Sequence, residues 1–162
     1  MRRAAPAMGL LLALGCGYRF TAGGAPLPEG LRTACAPVYA NRTAEPHLEA
    51  MFAESMREWM ARSGVPGGPG CEGRLEGEIL SLQGAPTLLT PAGTVASYRL
   101  TAVVQLRLLK GGRAVAEALV EGAEEYLPGA DALATEAYRA AALRRLSDAL
   151  ARDGYERLAG GW

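Results

Sequence analysis

Between residues 95 and 109 the chain alternates. Tyr98, Leu100, Ala102, Val104, Leu106 and Leu108 fall on one face of an extended segment, and Arg99, Thr101, Val103, Gln105 and Arg107 on the other. That period of two predicts a half-buried strand. Lys110-Gly111-Gly112-Arg113 supplies a hairpin turn. Residues 114–126 then return as a second strand, in which Glu117, Glu121 and Glu125 face away from Ala116, Ala118 and Val120. Pairing of Arg99 and Arg107 with this acidic row, on a solvated sheet face, is the plain expectation. Residues 72–83 read as another strand, with Leu75 and Ile79 on one face and Leu80 and Leu82 on the other. Residues 31–39 read as the first strand, which Pro37 pushes to an edge or terminates. Residues 84–93 read as a turn-prone connection carrying Leu88 and Leu89 at its tip. A packed loop is the simpler expectation for that pair than a contact site.

Helical spacing marks two segments. Over 46–62, Leu48, Met51, Phe52, Met56, Trp59 and Met60 share a face, while Glu49, Glu54, Arg57, Glu58 and Arg62 mark the other. Pro46 suits the first turn, and Gly64 stops the helix. The methionine-rich stripe reads as core rather than as a pliable binding face. Over 131–152 an Ala-rich helix carries a stripe of Tyr138, Ala142, Leu146, Ala149 and Leu150, with Leu143 beside it. Arg139, Arg144, Arg145 and Arg152 are expected in water, and Asp153-Gly154 is expected to end the helix. The order β-α-β-β-β-α predicts an α+β fold, a two-layer sandwich with two helices packed on one face of a four-stranded mixed sheet. It forms a single domain over 31–158, followed by a C-terminal tail over 159–162.

The N-terminus follows other rules. Arg2 and Arg3 precede a nine-residue apolar run, Ala7 to Gly15. That is the secretory signal pattern, too short to cross a hydrocarbon core as a helix. It ends in Leu12-Ala13-Leu14-Gly15-Cys16, which resembles a bacterial lipobox with Leu14 and Ala13 transposed from the commonest order. Residues 1–15 are thus expected to be a lipoprotein signal peptide, and Cys16 the acylated mature N-terminus. Several acyl chains anchor stably where one binds marginally, at about 0.8 kcal/mol per buried methylene. Gly17, rather than Asp, after the cysteine resembles an outer-membrane destination. Residues 16–30 are expected to be a flexible tether, since 21–30 are rich in Gly and Pro. Cys35 and Cys71 remain. In an oxidising compartment they can pair, closing a loop worth roughly 4 kcal/mol on the chain-entropy model. Alternatively, Cys35 is a small buried hydrophobe.

Charge and composition narrow the chemistry. Across 162 residues, 17 Lys+Arg balance 17 Asp+Glu, so bulk basicity gives no reason to expect a nucleic-acid partner. His47 is the only histidine, which excludes a multi-histidine metal site. Ser55, Ser63, Ser81, Ser97 and Ser147 lack a Gly-x-Ser-x-Gly context, Cys-x-x-Cys is absent, and Glu124 and Glu125 point to opposite strand faces. Neither an enzyme nor a cofactor is expected.

The least generic residues open the mature chain. Cys16-Gly17-Tyr18 leads through Leu27-Pro28 into the first strand, and Asn41-Arg42-Thr43 then leads through Glu45-Pro46 into the first helix. This resembles the LPS-assembly lipoprotein family LptE, specifically over 16–64 and by length and element order beyond. The resemblance implies an outer-membrane lipoprotein inside the lumen of the β-barrel LptD. There it plugs the barrel, assists its folding, and binds the lipopolysaccharide (LPS) that the pair inserts into the outer leaflet. Read from the residues themselves, Arg99, Arg107, Lys110 and Arg113 form a basic cluster at the central hairpin that could contact such a lipid's phosphates, a solvated strand face or a barrel contact being the plainer alternative. The rival reading is an unrelated periplasm-facing lipoprotein that serves cell-wall synthesis as a binding or regulatory module.

Overall fold

The computed structural model describes residues 27–160. The proposed signal peptide, Cys16 and residues 16–26 of the expected tether lie outside the described residues, as do residues 161–162. The order of elements is a 3-10 turn at Pro28–Gly30, β1 (Ala34–Cys35), β2 (Ala40–Asn41), α1 (Leu48–Arg62), β3 (Gly73–Leu89), β4 (Val95–Lys110), β5 (Arg113–Tyr126) and α2 (Ala132–Gly160). β3, β4 and β5 form an antiparallel meander, and β1 and β2 both pair in parallel with β3. Both helices lie against one face of this mixed sheet, giving the expected α+β class with five strands in place of four.

The extra strand arises because the expected strand over 31–39 is reduced to Ala34–Cys35, and a second short strand, Ala40–Asn41, forms just beyond its expected end. Proline has no N–H to donate to a ladder. Ala34–Cys35 and Ala40–Asn41 therefore touch β3 separately, on either side of Pro37. β3 differs in the other direction. It runs on to Leu89, so most of the expected 84–93 connection is strand and only a turn around 90–94 joins it to β4. Beyond Ile79 only β4 pairs with β3. Pro86 therefore has a free side on which its missing donor costs nothing. Leu88 and Leu89 ride out on this ribbon and are exposed rather than packed.

The core lies between the sheet and the helices. Met56 and Met60 are buried beside Phe52, so the methionine stripe is core. From β4, Leu100, Ala102, Val104, Leu106 and Leu108 meet Leu143, Leu146, Leu150 and Tyr155 of α2 in the same cluster. The helix does not stop at Asp153-Gly154 but continues to Gly160, taking Ala159 and Gly160 out of the expected tail. Gly154 costs the helix about 1 kcal/mol relative to Ala. It is buried, and a Cβ there would run into Leu106 Cδ1, so its missing side chain is what lets α2 settle on β4. Gly77 does the same for the edge: a Cβ would lie 2.5 Å from the Tyr39 ring, which packs on Phe52.

Two further expectations about α2 are corrected. Tyr138 lies outside the stripe and is exposed. Arg139 is not in open water but turned inward onto Glu45, with Nη1 donating to Oε1 at 3.1 Å. The last four residues of the expected tether are also folded down. Leu27 is 2% exposed, and Glu29 joins both Lys110 and Arg113 at the β4–β5 turn.

Candidate functional site

The helices leave the other face of the sheet bare, and that face carries most of the exposed strand charge. Odd-numbered positions of β4 and β5 point to it, opposite the buried even-numbered ones. Arg99 reaches across to Glu125, with Nη2 to Oε1 at 2.6 Å. Arg107 is in register with Glu117 on β5, yet its ion pair is with Glu76 on β3 at 3.9 Å. Arg74 shares that carboxylate at 3.1 Å, and Arg42 is bonded to Glu78. These guanidinium and carboxylate groups wall a shallow cleft of about 390 Å³, floored by Gly77 and Gln105 and flanked by Pro37 and Val38. Arg42, Arg74 and Arg107 are each more than half exposed, so an incoming anion can exchange with their carboxylate partners at small cost.

The basic cluster suggested by the sequence is not one cluster. Arg99 and Arg107 share the open face but stand eight residues apart on β4, which is about 27 Å at roughly 3.4 Å per residue. Lys110 and Arg113 sit at the β4–β5 turn, where Glu29 holds them: Lys110 Nζ donates to the Glu29 carbonyl at 2.9 Å, and Arg113 Nη2 to its carboxylate at 2.5 Å. Only Arg107 meets other guanidinium groups. The residues it joins, Arg42 and Arg74, escape a reading by element because the three come from three separate segments. The alternation Arg74-x-Glu76-x-Glu78 was visible, but its meaning depends on the register that sets Glu76 opposite Arg107.

The Asn41-to-Pro46 segment forms a wound turn that seats α1. Asn41 Oδ1 accepts from the N–H and the hydroxyl of Thr43, at 2.9 and 2.8 Å, and Asn41 Nδ2 donates to the Glu45 carbonyl and to Glu49 Oε2, both at 2.8 Å. Glu49's own backbone N–H, followed by the Asn41 amide, holds its carboxyl below the usual carboxylate range. Glu45 pairs with Arg139, and that hydrogen bond raises the guanidinium's already high pKa. Of the residues that carry the family resemblance, Asn41, Thr43 and Glu45 thus clamp β2, α1 and α2 together, which is a structural role. α1 itself starts at Leu48, after His47 in the left-handed region at φ 65, two residues later than Pro46 suggested.

Cys35 and Cys71 form a disulfide with Cα atoms 5.8 Å apart. It ties β1 to the start of β3 and closes off the 65–70 loop. Among the described residues, no group of three or more His, Cys, Asp or Glu is placed to hold a metal. No helix among them is long and apolar enough to cross a membrane. The arrangement offers exposed, exchangeable ion pairs on a rigid sheet, which is chemistry for binding.

Comparison with known proteins bears on the family and the fold. The family model LptE, described as lipopolysaccharide-assembly, matches residues 31–158. Among solved structures, a lipoprotein of Caulobacter crescentus CB15 superposes with a TM-score of 0.57 at 18% identity, covering 75% of this chain and 89% of that one. Rare lipoprotein B of Shewanella oneidensis superposes at 0.56 and 17% identity, covering 80% and 95%. The PelC dodecamer subunit of Paraburkholderia phytofirmans does so at 0.53 and 13% identity, covering 82% and 92%. At these identities the three likenesses show the fold alone. No curated protein matches the chain.

Proposed function

The chain belongs to the LptE lipopolysaccharide-assembly family, and from that premise we propose that it works as a plug and assembly partner of the outer-membrane barrel LptD. The match over residues 31–158 carries this reading, because it spans nearly the whole described body. In the same reading residues 1–15 are a signal peptide and Cys16 is acylated. The anchored protein faces the periplasm or the barrel lumen, and the anchor raises its effective concentration beside the barrel.

The mechanism is binding without catalysis. The helix-backed sheet is the rigid body. Its bare face offers the barrel a polar surface of ion pairs and hydroxyls suited to a water-filled lumen. LPS contact is assigned within that surface to Arg107 together with Arg42 and Arg74, whose three guanidinium groups line one cleft and match clustered phosphates. Arg99, Lys110 and Arg113 do not line that cleft and stand beside Glu125 and Glu29.

Depletion of the protein in its native envelope tests this. The expected result is less correctly folded barrel and less LPS at the cell surface. Unchanged levels of both, after the lipoprotein has been cleared, would contradict the proposal.

A further inference from the structure

We propose that the outer edge of β5 is a docking site for an extended, basic segment of a partner protein, which adds to the sheet as another strand. β5 pairs only with β4, so its second edge carries no strand. Two of its carbonyls identify which groups point outward: Leu119 O accepts from Arg157 Nη1 at 2.7 Å, and Glu125 O from Arg145 Nη2 at 3.2 Å. In an antiparallel ladder, backbone groups alternate in direction. Those of Glu117, Glu121 and Ala123 therefore leave the same edge. None of them has a backbone partner across it among the described residues.

An edge of 14 residues without proline is a template for pairing unless something blunts it. Here the guard is charge. Glu117, Glu121 and Glu125 lie along it on the bare face, with Leu119, 57% exposed, between the first two. Glu125 is paired with Arg99, while Glu117 and Glu121 have no ion-pair partner among the described residues. This row turns away a second copy: antiparallel pairing about Glu121 would set Glu121 against itself and Glu117 against Glu125. It accepts a strand with Lys or Arg at every fourth residue and apolar residues midway between them. Arg145 and Arg157 are exposed and each reaches its edge carbonyl through one side chain, so the arriving backbone can displace both from the edge, Arg145 keeping its ion pair with Glu124 at 3.1 Å. This inference does not depend on the barrel reading.

The test uses the full chain and a fluorescent peptide, Lys-Thr-Val-Thr-Lys-Thr-Val-Thr-Lys. Fluorescence anisotropy should detect binding, and amide exchange at Leu119, Glu121 and Ala123 should slow at least tenfold. The double variant E117K/E121K should bind at least tenfold more weakly, and a peptide N-methylated at alternate residues along its pairing edge should not bind. Should the double variant fail to fold, the N-methylated peptide and the exchange pattern decide. Absence of binding, equal binding of the N-methylated peptide, protection confined to other residues, or a dimer formed through β5 would each overturn the proposal.

Discussion

β4 contributes to both faces of the sheet, and the two sets of side chains have different lives. Leu100, Ala102, Val104, Leu106 and Leu108 are each no more than 3% exposed, whereas Arg99 and Arg107 on the opposite face are 53% and 52% exposed. Burial at about 25 cal/mol per Å² makes the first set the source of stability. Exposed ion pairs contribute about 0–1 kcal/mol each, so the second set adds little to folding. The bare face is therefore free to serve a partner, and changes on it should separate binding from stability.

The covered face should give the largest effect. Leu106 is fully buried beneath Gly154 of α2. Leu106→Ala should lower stability by about 3–5 kcal/mol in urea unfolding, from lost burial and the cavity left behind. A loss under about 1 kcal/mol would break the contrast between the faces. Next comes the disulfide. Cys71→Ser should lower stability by about 2–4 kcal/mol, measured in the same way, because Cys35–Cys71 closes a loop of sequence separation 36. Non-reducing peptide mapping of exported protein should recover the linked pair.

On the bare face the expected change is small. Arg99→Glu with Arg107→Glu should shift stability by about 1 kcal/mol or less while weakening LPS binding in a salt-dependent way. A larger loss of stability would mean that the ion pairs hold the sheet together. The smallest effect belongs to Glu49. Its carboxyl is held below the usual range, so its contribution is present above its ordinary pKa and lost as the pH falls through the lowered folded value. Melting curves from pH 7 to pH 3 should show Glu49→Gln converging on the parent at the acid end. A difference that grows on acidification would contradict the sign.

Much of this contrast was legible in the sequence, for local reasons. The β4–β5 hairpin announces itself through strict alternation around Gly111-Gly112, and α1 through its spacing of Leu48, Phe52, Met56 and Met60. What escaped depended on distant partners. Gly154 reads as a helix stop until Leu106 is placed against it. Gly84, Ala85 and Pro86 read as a loop until they are set in register opposite Leu100, Arg99 and Tyr98. Arg139 reads as a solvated side chain until Glu45 arrives from 94 residues away. The candidate site suffered in the same way. Its cations were visible one by one, but their partners Glu76, Glu78 and Glu29 come from other segments. Register, which no local pattern encodes, decides that Arg107 joins Arg74 and leaves Lys110 aside.

The most direct measurement on the proposed role is a detergent pull-down of the lipidated protein from envelopes under conditions that keep membrane complexes intact. Recovery of a large β-barrel protein in constant ratio to the lipoprotein is the expected result, with the Arg99→Glu and Arg107→Glu variant still folded in the same preparation. Recovery of the lipoprotein without any large barrel would contradict the role as plug and assembly partner.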